Sequence, residues 1–227
     1  MELTWQGRFC VRMRSREATI VADPFPGDVG PTGRGLTADI VTFSHEEPLP
    51  PGALRQLRHA TAPSGEEVLV PASLEHAFVL NSPGEFEVRQ VLMTGVRTYR
   101  GERGSPDGRN VTFVYEIDGI HVCHLGDIGL PPTEDELGEI GSVELLCVPI
   151  GGELNATAAS ELVAQIDPKL VVPLTVGNDP DASAQALERF IHEMGASNLV
   201  PQPRFSVTVS TVPGETTVVL LEQRGRS

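Results

Sequence analysis

The sequence predicts an α/β protein built from two sheets packed face to face with helices outside. Three observations carry that prediction. The first half is written in short β-branched or alternating runs. The second half switches to helical spacing, each helix being followed by a strand-like run. The length, 227 residues, suffices for one well-buried domain spanning residues 1–227.

In chain order, Glu17–Ala22 and Asp39–Phe43 are apolar runs bounded by Gly, Pro and Asp, as expected of central strands. Phe86–Met93 and Val111–Ile117 alternate more openly, and Asp118-Gly119 supplies a tight hairpin turn after the second. Pro26–Thr37 and Gly101–Asn110 are rich in turn formers and read as surface loops, because strands resume directly after them. Pro51–Ala60 is expected to form a short helix. Thr133 with Glu136 forms a capping box ahead of the strand Val143–Val148. Thr157–Ile166 and Ser183–Met194 are amphipathic helices, the second ending at Gly195, and Phe205–Val209 and Thr216–Leu221 read as two strands joined through Pro213-Gly214-Glu215.

Composition excludes several function classes. With 31 acidic against 17 basic side chains the formal net charge is −14, a surface that repels phosphate backbones and anionic lipid, so neither nucleic acid nor membrane is an expected partner. No run approaches a membrane span, and Met1–Gly7 lacks the basic and apolar regions of a secretory signal, so a cytoplasmic location is expected. Cys10, Cys123 and Cys147 each lie in an apolar run at wide spacing, which fits reduced core thiols.

A succession of short motifs carries a resemblance that spans nearly the whole chain. In order these are Glu2–Gly7, Ala22-Asp23-Pro24-Phe25, Ser44-His45, Pro83–Val88, Thr98-Tyr99, His124-Leu125-Gly126-Asp127, Val148–Gly152 and Val172-Pro173-Leu174. Together they resemble the landmarks of the metal-dependent hydrolase, lactonase-like branch of the metallo-β-lactamase superfamily. The resemblance implies an αββα sandwich and one or two divalent ions activating water against an ester-like or phosphoester bond.

The ligands of that family are thinned out here. Its H-x-H-x-D-H pattern falls on His45, Glu47, Leu49 and Pro50, so one of four is kept. Asp127 matches the bridging carboxylate, and Gly126 lets the backbone turn tightly beside it. Arg8, Arg100 and Thr175 stand where the family usually has His. His45 and Asp127 alone cannot hold a catalytic zinc, for which three protein ligands are usual. Adding Glu47 gives one imidazole and two carboxylates, a set suited to a harder ion such as manganese or iron.

A guanidinium at position 100, always charged, would repel a divalent ion unless neutralised, and Asp127 and Glu47 are its natural partners. An Arg–carboxylate pair in place of the metal is therefore expected, with Arg100 turned to solvent as the bland alternative. His124, beside Cys123, reads as a core histidine, the alternative being a catalytic acid. His59, His76, His121 and His192 show no ligand spacing, and Glu85 and Glu87 share one strand face without a second acid to pair with.

Two functions follow. The first is a hydrolase-like protein that has lost most metal ligands, holds no cofactor, and acts as a ligand-binding or regulatory protein. The second is a hydrolase with an altered mononuclear site of Zn, Mn or Fe on His45, Glu47 and Asp127. Leu49 and Pro50 make the mouth more apolar and favour an uncharged small molecule. Homo-oligomers are common on this fold.

Overall fold

The computed structural model describes residues 1–224. The strands are β1 (Glu2–Gly7), β2 (Cys10–Arg14), β3 (Thr19–Ala22), β4 (Ile40–Thr42), β5 (Leu57–Thr61), β6 (Glu67–Pro71), β7 (Phe78–Leu80), β8 (Gly84–Val88), β9 (Val91–Tyr99), β10 (Arg109–Ile117), β11 (Ile120–His124), β12 (Leu145–Ile150), β13 (Leu170–Thr175), β14 (Phe205–Ser206) and β15 (Thr217–Val218). The helices are α1 (Pro26–Val29), α2 (Glu134–Ile140), α3 (Ala156–Ile166) and α4 (Pro180–Glu193).

Two large sheets form, a six-stranded one in the order β14-β1-β2-β3-β4-β7 and a seven-stranded one in the order β15-β13-β12-β11-β10-β9-β8. Their inner faces share a core that includes Leu3, Met13, Ile20, Leu80, Phe113, Tyr115 and Val172. Burying such side chains is the main driving force, at about 1.5–3 kcal/mol each. A polar bond across this core joins the sheets, Thr42 Oγ1 to Tyr115 Oη at 2.6 Å.

A second apolar cluster, with Val148, Leu162, Val163 and Phe190, packs α2, α3 and α4 on the outer face of the seven-stranded sheet. The six-stranded sheet has a thinner outer layer, where Val29 of α1 meets Cys10 and Val21. This is the αββα arrangement. The three thiols are free and buried.

The predicted capping box is formed, Thr133 accepting from the Glu136 N–H and the Glu136 carboxylate accepting from the Thr133 N–H. Four expectations are corrected. Pro51–Ala60 is no helix beyond a 3-10 turn at Ala53–Gln56; its second half is β5, which pairs with β6 as a separate two-stranded sheet. Its alternation of Leu57 with exposed neighbours serves a ribbon better than a narrow helical stripe. Phe86–Met93 is two strands, broken at Arg89-Gln90, both with positive φ (52° and 63°). That is a type I′-like turn without its usual Asn-Gly, so no turn signal was present.

The C-terminal runs do not pair with each other. β14 joins β1 in one sheet and β15 joins β13 in the other, because each edge offers an unpaired strand to cap. Finally, α4 starts three residues before Ser183, since Asp179 caps it and Pro180 suits its first turn. Among the described residues, no helix is long and apolar enough to cross a membrane.

Candidate functional site

β3 and β4 are parallel, as are β11, β12 and β13, and the antiparallel partners bring the ends of β1 and β9 to the same edge. That edge collects the turn holding Arg8, the loops carrying Asp23, Ser44 to Glu47, Arg100 and Asp127, and the end of β13 at Thr175. Ligand-bearing edges of α/β sheets are of this kind. Two side chains here sit on backbone with positive φ, Arg8 (38°) and Asp23 (49°). Such strain outside glycine is concentrated at sites that use the side chain.

Asp23, Ser44 and His45 form a buried chain. The Ser44 N–H and hydroxyl both donate to Asp23, at 2.7 and 2.6 Å. The hydroxyl has one proton, so its 2.7 Å contact with His45 Nδ1 makes that nitrogen the donor. The other ring nitrogen, Nε2, faces Glu47. It is buried without a hydrogen bond, its neighbour Glu47 Oε1 lying 3.5 Å away. Phe9 and Phe25 pack on the ring with centroids 4.8 and 4.7 Å off.

His124 is wired differently. Its Nε2–H donates to the Phe9 carbonyl at 2.8 Å and its Nδ1 accepts from the Gly126 N–H at 3.2 Å, both ring nitrogens being used by backbone. Burial pushes its pKa down, against the opposing charge of Asp23 and the Phe9 bond. This lends the fold a pH dependence. The unfolded state takes up the proton first, so stability is expected to fall as pH drops below about 6.5 and on towards the lowered native value. Urea midpoints across that range, compared between wild type and His124→Gln, measure it. Equal slopes for the two proteins would contradict the assignment.

Two arginines occupy the rest of the edge. Arg8 grips Glu47 with both terminal nitrogens, Nη1 at 3.0 Å from Oε2 and Nη2 against Oε1. Its Nε donates to the Val176 carbonyl at 3.3 Å, Nη1 lies 4.0 Å from Asp28, and the guanidinium sits 5.1 Å over the Phe9 ring. Arg100 Nε is 2.6 Å from Asp127 Oδ2, and the Asp127 N–H donates to Asn110 at 2.9 Å. Arg100 thus meets one of its two expected partners. Glu47 is taken by Arg8 instead, because the β1–β2 turn reaches the loop after β4 within the same sheet.

The carboxylates respond in opposite directions. Burial opposes ionisation of Glu47, but His45 and the bidentate Arg8 outweigh it and hold its pKa below the ordinary value. At Asp127 burial prevails over the charges of His45 and Arg100, and Glu153 adds to it, so its pKa is raised. Thr175 ends β13, half-buried beside Val176, and makes none of these pairs. Glu85 and Glu87 are exposed on the edge strand β8. Leu49, 41% exposed, and the half-buried Pro50 belong to the same loop as Glu47.

The profile of the Beta-lactamase superfamily domain matches residues 2–175. The chain belongs to the metallo-β-lactamase superfamily. Its relatives include a UPF0173 protein of Pyrococcus furiosus, 28% identical over 195 residues, which cover 83% of this chain and 90% of that protein. A UPF0173 metal-dependent hydrolase of Methanoregula boonei is 26% identical over 206 residues, covering 83% and 90%. A Thermotoga maritima crystal structure, assigned to the Zn-dependent hydrolases of this superfamily, superposes with a TM-score of 0.72 at 28% identity, covering 98% of this chain and 99% of that one.

Metallo-β-lactamase relatives named as metal-dependent hydrolases imply a divalent ion, and the donors present are a poor fit for one. His45 Nε2 is buried without a hydrogen bond, but the oxygens of Glu47 and the near oxygen of Asp127 already hold guanidinium groups. Two fixed cations at this edge oppose a third. Among the described residues no group of three or more His, Cys, Asp and Glu is arranged to hold a metal. Sequence reasoning placed His45, Glu47, Asp127 and Arg100 at one edge of this superfamily fold and gave Asp23 and Ser44 only as landmarks of the resemblance, without a role at the site. The signal was a charged residue closing an apolar strand at Ala22-Asp23. Arg8 was noticed only as a missing histidine, although its side chain is the best-connected cation of the site.

Proposed function

We propose that this superfamily member works without a resident metal, as a small-molecule-binding or regulatory protein on a hydrolase scaffold. The observation that supports it is the double pairing, Arg8 with Glu47 and Arg100 with Asp127, in which guanidinium groups hold the carboxylates a divalent ion would need. The apolar Leu49 beside Glu47 suits an uncharged ligand over a phosphoester. The test is elemental analysis of protein purified without chelator, together with a thermal melt in added zinc. Substoichiometric transition metal and an unmoved midpoint are expected, since an ion bound only by the native state must raise stability. One or two tightly held metals per chain would overturn the reading.

One observation favours a second reading. His45 Nε2 is buried with no hydrogen-bond partner 3.5 Å from Glu47, a placement that suits a metal ligand. With Glu47 and Asp127 it would form the altered mononuclear site of a hydrolase acting on ester, lactone or phosphoester bonds. The same elemental analysis separates the two.

A further inference from the structure

At the end of the strands opposite the site, β2 and β10 run out and β3 and β9 begin. Two adjoining clefts of about 340 and 220 Å³ open there, sharing Asp118 in their lining and large enough to receive side chains of another surface. Arg14 and Arg16 line the first, Glu17 and Glu116 the second, and all four are exposed. Other charges nearby are already paired, the Met1 ammonium lying 2.9 Å from Asp118 and Arg204 3.3 Å from Glu2. Among the described residues Arg14, Arg16 and Glu116 form no ion pair, and the Glu17 carboxyl meets that of Asp118, an acid like itself. Two large apolar side chains also stand out at this end, Leu92 (49% exposed) in the second cleft and Val209 (62%) beside Gly119 of its wall.

A molecule of net charge −14 repels its own copies over most of its surface. At this end two guanidinium groups and two carboxylates balance, so the repulsion is locally cancelled, and at physiological salt charges farther than about 8 Å away are largely screened. A patch that holds both signs side by side is complementary to itself under a two-fold rotation, which brings the cations of each copy to the acids of the other. We propose that this end is the interface of a symmetric dimer, with Arg14 and Arg16 of one copy facing Glu17 and Glu116 of the second, twice over, and Leu92 and Val209 buried between the charged sets. The ion pairs fix the register and exclude wrong partners, while the apolar side chains supply the buried surface. A second copy fits better than a foreign acidic or basic protein, because either of those would answer one sign and leave the other unpaired. The edge holding His45 and Asp127 lies at the opposite ends of the strands and stays open in such a dimer.

The test is molar mass by analytical ultracentrifugation across a concentration series at physiological salt. The samples are untagged wild type, an Arg14→Glu/Arg16→Glu variant, a Glu17→Arg/Glu116→Arg variant, and an equal mixture of the two variants. Wild type is expected to sediment as two chains. Each variant alone sets like charges against each other across the axis and should associate about tenfold more weakly or worse. The mixture should recover the dimer, because each variant then offers the sign the other lacks. The four substituted positions are exposed, so the fold is expected to persist, with far-UV circular dichroism as the check. Leu92→Glu leaves all four charges in place and should also give single chains, which keeps the test open if a charge-reversed variant does not fold. Wild type that stays a single chain at every concentration would overturn the proposal and leave this face to a different partner. A dimer indifferent to the substitutions would overturn it too, as would charge-reversed variants that separate and fail to recombine on mixing.

Discussion

Arg100→Ala is expected to lose about 2–4 kcal/mol of stability, and adding Asp127→Asn should recover much of that loss. Removing the arginine leaves Asp127, whose side chain is 6% exposed, as an unpaired buried charge. Arg100 itself is 31% exposed, which keeps the figure at the lower end of what breaking a buried pair costs. The double variant replaces both charges by neutral groups, so the desolvation penalty that makes the single variant costly is gone. The pH dependence gives an independent check. Burial already raises the Asp127 pKa, and without Arg100 it rises further, so the deficit of Arg100→Ala should shrink as the medium is acidified and Asp127 takes up a proton. Arg103 with Glu136 provides the control, an ion pair at the surface whose loss is worth no more than about 1 kcal/mol. Denaturant titrations of the four corners of the cycle measure the coupling. A value near zero would mean that Arg100 and Asp127 are neighbours without being partners.

Pattern was legible where one physical requirement dominated. The helix α2 could be placed because Thr133 and Glu136 answer orphan N–H groups locally, and the β10–β11 hairpin because Asp118-Gly119 tolerates positive φ at both positions (52° and 74°). Arg89-Gln90 adopts the same turn with residues that do not ask for it, held by the pairing of β8 with β9, so the strand boundary was invisible. The tails illustrate the same limit, since Phe205 and Thr217 are placed by distant strand edges and not by each other. At the site, the order of strands and loops was enough to bring His45, Glu47, Asp127 and Arg100 to one edge. Which cation takes which carboxylate was not, because that choice depends on reach. Arg8 is 39 positions from Glu47 yet directly opposite it across the loops. The relay from Asp23 through Ser44 to His45 was hidden for a similar reason, as Asp23 lies on strained backbone whose use emerges only when Ser44 is beside it.

Gly126→Ala is expected to be among the costliest single changes to this fold, at about 3–5 kcal/mol. Two separate terms contribute. Gly126 has φ of +65°, a conformation that any side chain strains, and its Cβ would lie 2.4 Å from Ser44 Cβ and 2.5 Å from Asn110 Oδ1. Neither neighbour can withdraw cheaply. Ser44 is held between Asp23 and His45 by its two hydroxyl contacts, and its N–H is bonded to Asp23 as well. Asn110 is fully buried and engaged on both ends of its amide, accepting from the Asp127 N–H while donating to Thr98 Oγ1 at 2.7 Å and to the Leu125 carbonyl at 2.8 Å. Moving it uncouples Asp127 from β10, and moving Ser44 breaks the chain that orients His45. Gly52→Ala isolates the cost of a left-handed backbone, because Gly52 has φ of +78° and ψ of −4° with nothing within 4 Å of the added carbon, and strain alone costs about 1 kcal/mol. The difference between the two variants in denaturant titration is therefore the steric cost of packing Asp127's loop against Ser44 and Asn110. Equal losses would show that this contact carries none of the site's rigidity, and that the loop bearing Asp127 is held from elsewhere.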